Sequence, residues 1–176
     1  MTITIRDMMA ARDNRVKLQN ELAAKYNCTV VSYTLNIAGP LKRFALGDRC
    51  FYEGKYEIEK IFTRGRYNIF EYVLTDAYTG LECLWAINAD AYELKRALVS
   101  IEENHSLGRL LDIDVLKADG SKISRSTLNL PERSCLVCGS SGQGCARSRT
   151  HPLDIIMERT YNIISGYFSE EYSGVL

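Results

Sequence analysis

The sequence predicts an α+β fold: a single domain over residues 1–168, in which a small mixed or antiparallel sheet packs against three to four helices. Helical and strand-like segments follow one another in the order α-β-α-β-β-α-β, then a short strand, a loop and a last helix. This order lacks the regular βαβ alternation of a parallel sheet, which favours α+β. The length of 176 residues and the hydrophobic fraction of 46% suit one globular core.

The first half of the chain predicts two helices and three strands. Residues 5–26 contain good helix formers without Gly or Pro, and their apolar positions approximate one stripe at helical spacing. Residues 28–37 are rich in β-branched and aromatic side chains, which favours a strand. Residues 44–63 predict a less regular helix, and residues 69–88 predict two strands around a turn at 77–80.

The second half begins with a helix predicted over 90–105, where Asp90 is placed as the N-cap. An apolar run that starts at Leu110 then predicts a buried strand. The Asp119–Gly120 turn returns the chain as a short strand around Ile123.

The C-terminal part combines a loop with a helix. Residues 126–150 contain Pro131 and several glycines, and they are predicted to be irregular. A last helix is predicted over 152–168, and residues 169–176 are expected to fray.

Charge and composition narrow the classes of function. Lys and Arg together number 22, and Asp and Glu together also number 22, so the net charge is zero. This balance gives no general argument for binding to nucleic acid or to a membrane, and neither partner is expected. The N-terminal segment lacks the cationic start and apolar stretch of a secretory signal, and no segment approaches the roughly 18 apolar residues of a membrane span. Six cysteines then indicate thiols or metal ligands in a reducing cytoplasm, the expected location.

Two carboxylates, Asp112 and Asp114, interrupt the apolar run of the predicted strand. Because residues i and i+2 of a strand point to the same face, about 6.5–7 Å apart, these carboxylates project together. A cation relieves their repulsion, and Mg²⁺ commonly binds one or two carboxylates together with substrate phosphates. The alternative interpretation is a solvated strand face. Gly108 and Arg109 favour the phosphate interpretation, because a backbone amide and a guanidinium both bind phosphate.

The segment 122–149 concentrates positive charge, which only Glu132 opposes. Such an excess suits a polyanionic ligand, and Arg is the preferred partner of phosphate oxygens. The alternative is a merely solvated basic loop. The basic residues of this segment are Lys122, Arg125, Arg133, Arg147 and Arg149.

Cysteines in the same segment have the spacing of a metal site. Cys135 and Cys138 form a C-x-x-C pair, and Cys145 and His151 complete a tetrahedral set of the kind that binds structural zinc. The alternatives are partly buried structural thiols or a redox pair.

Three motifs give the chain a family resemblance. TLNIAGPLK (34–42), IEENHSLGRLLDIDV (101–115) and CLVCGSSGQGCARSRTH (135–151) occur in this order. The sequence resembles the family of apo-citrate lyase phosphoribosyl-dephospho-CoA transferases over nearly its whole length.

The resemblance implies a nucleotidyltransferase-type reaction and, as one option, a nucleotidyltransferase-like fold. The substrate would be 2′-(5″-triphosphoribosyl)-3′-dephospho-CoA. Its phosphoribosyl-dephospho-CoA group would join a serine of the citrate lyase acyl carrier protein, and pyrophosphate would leave. Residues 1–168 would then form the catalytic domain.

The same resemblance suggests roles for individual residues. Asp112 and Asp114 would bind Mg²⁺, and one of them would accept the serine proton. Arg109 and the Gly108 amide would contact the phosphates. Further phosphate-binding or carrier-docking candidates are Lys42, Arg133, Arg147 and Arg149.

Some alternatives stay open. His105 or Glu103 is an alternative general base, and His105 can equally be a cap at the end of its helix. An equivalent transferase for another carrier, such as that of malonate decarboxylase, would share the mechanism. A zinc-stabilised binding module without catalysis, docking an acidic protein, is the alternative from another class.

Overall fold

The described part of the chain, residues 3–173 of a computed structural model, contains five α-helices and a four-stranded sheet. The strands are β1 (Thr29–Leu35), β2 (Asn68–Ala77), β3 (Gly80–Asn88) and β4 (Leu111–Leu116). The helices are α1 (Ile5–Tyr26), α2 (Ala45–Arg64), α3 (Ala91–Asn104), α4 (Gly142–Ser148) and α5 (Leu153–Ser173). Two short 3-10 turns, Gly108–Leu110 and Ser126–Leu128, lie before and after β4.

The sheet is antiparallel throughout, and its strand order is β2-β3-β1-β4. β4 pairs with β1 only, so it forms one edge of the sheet. The register places Thr34 opposite Asp112 and Ser32 opposite Asp114. This architecture confirms the predicted α+β class.

The two faces of the sheet pack against different helices. Val30 belongs to an apolar cluster with α1, whereas Tyr33 and Ile113 belong to the main core with α2 and α3. Because successive side chains of a strand alternate between faces, Asp112 and Asp114 lie on the face that α1 partly covers. Burial of Ile113 in the core therefore fixes the direction of both carboxylates.

A buried group of charged side chains connects α3 to β4. Lys95 Nζ donates to the carbonyl of Ile113 over 2.5 Å, and the Ile113 N–H donates to Glu102 over 3.4 Å. Arg125 Nη2 lies 3.0 Å from the second carboxylate oxygen of Glu102. Lys95 and Glu102 are buried, and burial lowers the pKa of Lys95. Charged groups persist in such surroundings when they are paired and hydrogen-bonded, as these are.

The rest of the outer edge of β4 also has partners. Arg133 Nη2 donates to the Leu111 carbonyl over 2.9 Å, and the Ile123 N–H donates to the Val115 carbonyl over 2.8 Å. With the contacts of Ile113, these bonds occupy the backbone groups that an edge strand usually exposes to association with other chains. Side chains and a loop therefore take the place of a fifth strand.

The C-terminal part differs from the predictions in three respects. The segment 126–150 includes the short helix α4, because Ser141 caps its start by accepting from the Gly144 N–H. Ile123 lies next to an isolated bridge between Leu116 and Lys122 rather than in a strand. α5 continues to Ser173, beyond its predicted end at 168, and the rest of the tail lies outside the described residues.

Among the helices that the structure describes, none has both the length and the apolar character needed to cross a membrane.

The buried charges of α3 predict that substitutions of two neighbouring glutamates change the stability of the fold by different amounts. Glu102→Gln leaves Lys95 and Arg125 without their buried anion, and we expect a loss of about 3–5 kcal/mol in the free energy of unfolding. Glu103→Gln removes an exposed partner of Arg125 and should cost about 0–1 kcal/mol. Urea denaturation measures both, and equal losses would contradict a stabilising role for the buried group.

Candidate active site and metal centre

The paired aspartates lie in a row of polar side chains across β1 and β4. The Asp112 side chain is 50% exposed, whereas the Asp114 side chain is 28% exposed. Thr34 stands opposite Asp112 on β1, and Glu82 of β3 stands opposite Thr34. Residues opposite each other in an antiparallel pair share a face. The predicted pairing of the two carboxylates is thus met by the strand geometry.

Both aspartates of this row have basic side chains beside them. Burial, and then the charge of Asp114, raise the pKa of Asp112. Lys122 Nζ lies 2.6 Å from Asp114, and Arg133 Nη1 lies 3.7 Å from Asp112. Two carboxylates that repel each other, with oxygen donors only, fit a hard divalent cation such as Mg²⁺.

A cleft of about 230 Å³ opens beside Asp112, and we name it the acidic cleft. Lys42 lines it and donates to the carbonyl of Ile37, and burial lowers the pKa of its ammonium group. Arg15 of α1 contacts Glu82 over 2.5 Å at the same cleft. Lys42, which the sequence predicted, and Arg15, which it did not, are therefore the basic residues that line the acidic cleft.

Arg133 is held by the backbone of the segment that precedes the aspartates. Its Nη2 donates to the carbonyls of Gly108 and Leu111, each over 2.9 Å, and to that of Arg109 over 3.2 Å. Gly108 packs tightly, because a Cβ there would lie 2.5 Å from the Ile101 carbonyl oxygen, and its N–H already donates to the His105 carbonyl. Arg133 and Gly108 thus shape this turn.

Arg109 is not among the residues that line the acidic cleft. It lines a second cavity, of about 600 Å³, between the cysteine segment and the start of α5, which we name the cysteine cavity. Burial, and then the charge of Arg133, lower the pKa of the Arg109 guanidinium. Among the side chains that the structure describes, none accepts from its buried Nε and Nη1.

The two candidate bases outside β4 lie in other surroundings. His105 Nδ1 accepts from the Leu107 N–H, and its ring groups with Glu53 and Glu57 of α2, the three ligand atoms lying within 4.8 Å of one another. Glu103 pairs with Arg125 over 2.9 Å. The fold therefore places His105 with α2 and α3, whereas the aspartates face the α1 side.

The four predicted zinc ligands come together as one cluster. Their ligand atoms all lie within 4.8 Å of one another. The Sγ atoms of Cys138 and Cys145 are 3.6 Å apart, and His151 Nε2 is 3.3 Å from Cys138 Sγ. Tetrahedral zinc, with Zn–S bonds of about 2.3 Å, holds its sulfurs roughly 3.8 Å apart. The Cys3His set with Cys135 therefore fits zinc.

Local structure brings these ligands together. The Gly139 N–H donates to the Cys135 carbonyl, and Gly139 has φ 76°, which allows the tight turn after Cys138. α4 then carries Cys145. Hydrogen bonds from Ser140, and then the contact with His151, lower the pKa of Cys138 to about 6, which favours the thiolate that binds a metal.

Several contributors to these sites had only faint signals in the sequence. Lys95 and Glu102 are spaced at i and i+7, so they lie on one face of their helix. This spacing could have indicated a helix face that is partly charged. Asn36 borders both the acidic cleft and the cysteine cavity, and Glu82 enters the polar row from β3. Their roles depend on strand register, which single residues do not reveal.

Comparisons with known proteins agree with this geometry. A family model described as "Apo-citrate lyase phosphoribosyl-dephospho-CoA transferase" matches residues 3–167. Proteins of that name from Escherichia coli O1:K1 and Citrobacter koseri are each 34% identical to the chain over 157 residues, covering 89% of it and 86% of the relative. "Protein CitXG" of Haemophilus influenzae is 31% identical over 172 residues, 98% of this chain, and the chain spans only 37% of that relative's length.

These matches place the chain in a class of transferases. The chain belongs to the family of apo-citrate lyase phosphoribosyl-dephospho-CoA transferases.

The cysteine cluster predicts a bound metal. We expect about one equivalent of zinc per chain by elemental analysis, because closed sites of this kind bind tightly. Cys138→Ser and His151→Gln should lose the zinc, whereas Cys28→Ala, at a buried cysteine outside the cluster, should keep it. Metal-free protein with an unchanged melting temperature would leave the thiols as packing residues.

The raised pKa of Asp112 predicts how stability depends on pH. An acid whose pKa is raised on folding destabilises the folded state where it is ionised, so Asp112→Asn should raise the melting temperature at pH 7. The gain should fade as the pH falls through the pKa of the folded carboxyl.

Asp119 gives the matched control of opposite sign. Hydrogen bonds from Ser121 lower its pKa to about 2, so its ionised form stabilises the fold above the unfolded pKa. Asp119→Asn should therefore lower the melting temperature at pH 7, with the difference shrinking toward pH 2. Calorimetric melts of both variants across this range test the assignment, and a lower melting temperature for Asp112→Asn at pH 7 would contradict it.

Proposed function

We propose that the protein transfers the phosphoribosyl-dephospho-CoA group of 2′-(5″-triphosphoribosyl)-3′-dephospho-CoA to a serine of the citrate lyase acyl carrier protein, with release of pyrophosphate. Family membership supports the transferase class and the dephospho-CoA substrate. One observation carries the mechanism: Asp112 and Asp114 lie on one strand face, and Asp112 lines the acidic cleft.

The proposed reaction is a nucleotidyl-type transfer. The serine oxygen forms a bond to the phosphorus nearest the ribose, the bond from that phosphorus to the next phosphate breaks, and pyrophosphate leaves with the electron pair. One of the two carboxylates, Asp112 or Asp114, accepts the serine proton. Mg²⁺ bound by the two carboxylates would neutralise the charge that develops on the phosphates. Lys42 and Arg15 bind phosphate oxygens at the cleft.

The contacts of the basic segment divide its arginines. Arg125 pairs with Glu102 and Glu103, and Arg133 donates to backbone carbonyls. Arg147 and Arg149 are exposed at the end of α4. We infer that Arg147, which lines neither cavity, docks the carrier, since carrier proteins of this kind are generally acidic.

Two other functions make different predictions. A transferase for another carrier would keep the chemistry and change the docking surface. A binding module without catalysis would release no pyrophosphate. Membership of a transferase family favours catalysis over the module.

Mass spectrometry of the apo carrier tests the reaction directly. Incubation with this protein, the triphosphoribosyl precursor and Mg²⁺ should add one phosphoribosyl-dephospho-CoA group to the carrier and release pyrophosphate. Asp112→Asn and Asp114→Asn should each lower the rate by about a hundredfold or more, while Asp119→Asn should not. Near-normal rates in both site variants would refute the metal assignment, and transfer only to the malonate decarboxylase carrier would correct the partner.

Carrier docking has a kinetic signature. Arg147→Glu should raise the KM for the carrier and leave the KM for the triphosphoribosyl substrate unchanged, and this effect should shrink as salt screens exposed charges. Arg96→Glu, an exposed arginine on α3, is the matched control. A rise in the nucleotide KM alone would assign Arg147 to the phosphate site.

A further inference from the structure

The cysteine cavity has the composition of a ligand site. Its volume of about 600 Å³ lies within the usual range for small-molecule pockets. Val137 and Pro152 contribute apolar surface, and Ile156 of α5 forms part of the opposite wall. Arg109 and Arg149 are its two arginines. An apolar cavity with a few convergent cationic groups suits a flat, apolar ring that carries an anionic substituent.

Arg109 is the group that points to an anion. Its Nε and Nη1 are buried, and no side chain of the described residues accepts from them. A guanidinium without a carboxylate partner is costly inside a protein unless a ligand completes its hydrogen bonds. Arg133 lies close enough to add to the positive charge. Diphosphate oxygens would satisfy this fork-shaped donor.

The cysteine cavity and the acidic cleft are neighbours. Asn36, which follows β1, borders both of them, and its N–H is fixed by the Leu110 carbonyl over 2.8 Å. Arg133 links them from the other side, because it bonds the Arg109 carbonyl and lies 3.7 Å from Asp112. The proposed substrate carries a diphosphate on its adenosine ribose and a triphosphate on a second ribose attached at the 2′ oxygen, so it can occupy both at once.

We propose that the cysteine cavity binds the adenosine diphosphate portion of dephospho-CoA, with the adenine against the apolar wall and the diphosphate on Arg109. The triphosphoribosyl group, attached at the ribose 2′ oxygen, then extends past Asn36 into the acidic cleft. This inference rests on the proposed function and deepens it. In this arrangement Arg109 binds the diphosphate of dephospho-CoA, which does not react, and not the triphosphate that reacts.

Dephospho-CoA alone is the probe, since it lacks the triphosphate. Isothermal titration calorimetry in Mg²⁺-free buffer should show binding to the full chain. Arg109→Gln should weaken it by about tenfold or more, whereas Arg96→Gln should not. Asp112→Asn should leave it unchanged, because the aspartates serve only the triphosphate. ADP should compete with dephospho-CoA, and pantetheine should not.

A matched pair on α5 tests the location. Ile156 lines the cavity, while Ile155 beside it is 40% exposed and lies outside the lining. Ile156→Trp should abolish binding, and Ile155→Trp should retain it. Ala146→Phe fills the cavity from exposed helix α4, so it replaces Ile156→Trp if that variant fails to fold.

The outcomes separate the two proposals. Equal binding by the variants Ile156→Trp and Ile155→Trp would overturn the cavity assignment and leave the transferase reaction standing. Carrier modification by a wild-type chain that does not bind dephospho-CoA would do the same. Normal dephospho-CoA binding without any carrier modification would instead refute the proposed function and leave the cavity as a nucleotide site.

Discussion

The outer edge of β4 is the constraint on which both cavities depend. Ile113, between the two aspartates, gives both its backbone groups to charged side chains of α3. This contact fixes the strand against the helix, so that Ile113 enters the core and Asp112 and Asp114 face away from it. Without it, the middle of an edge strand that carries two carboxylates would be held by β1 alone.

Arg133 extends this constraint to the cysteine segment. Its guanidinium bonds three carbonyls around the turn before β4, and the residue lies two positions before the first cysteine of the metal cluster. The cluster, the turn that carries Arg109 and the start of β4 are therefore mechanically joined. The segment 122–149, a basic patch in the sequence, is in fact held to the turn before β4 through Arg133, and part of its remaining charge is paired with Asp114 and Glu102.

Much of the fold could be predicted because its elements have strong local signals. The Asp90 cap accepts from the N–H groups of Tyr92 and Glu93, as its sequence position suggests. The i and i+2 spacing of the aspartates and the cysteine spacing likewise yielded correct groupings. Helix α4 was not predicted, because its glycines are typical of loops and mask the signal of its N-terminal cap. The placement of Arg109 in a different cavity from Asp112 depends on the 3-10 turn, whose geometry comes from packing at Gly108.

The partners of the outer edge of β4 stand on both sides of it in the sequence. Lys95 and Glu102 precede the strand, whereas Ile123 and Arg133 follow it. During synthesis, β4 therefore leaves the ribosome before the segment that contains Ile123 and Arg133. At that stage the Leu111 and Val115 carbonyls have no hydrogen-bond donor from that segment. Edges of that kind attract other strands. The order of synthesis thus makes β4 the point where a growing chain is most open to pairing with a neighbour.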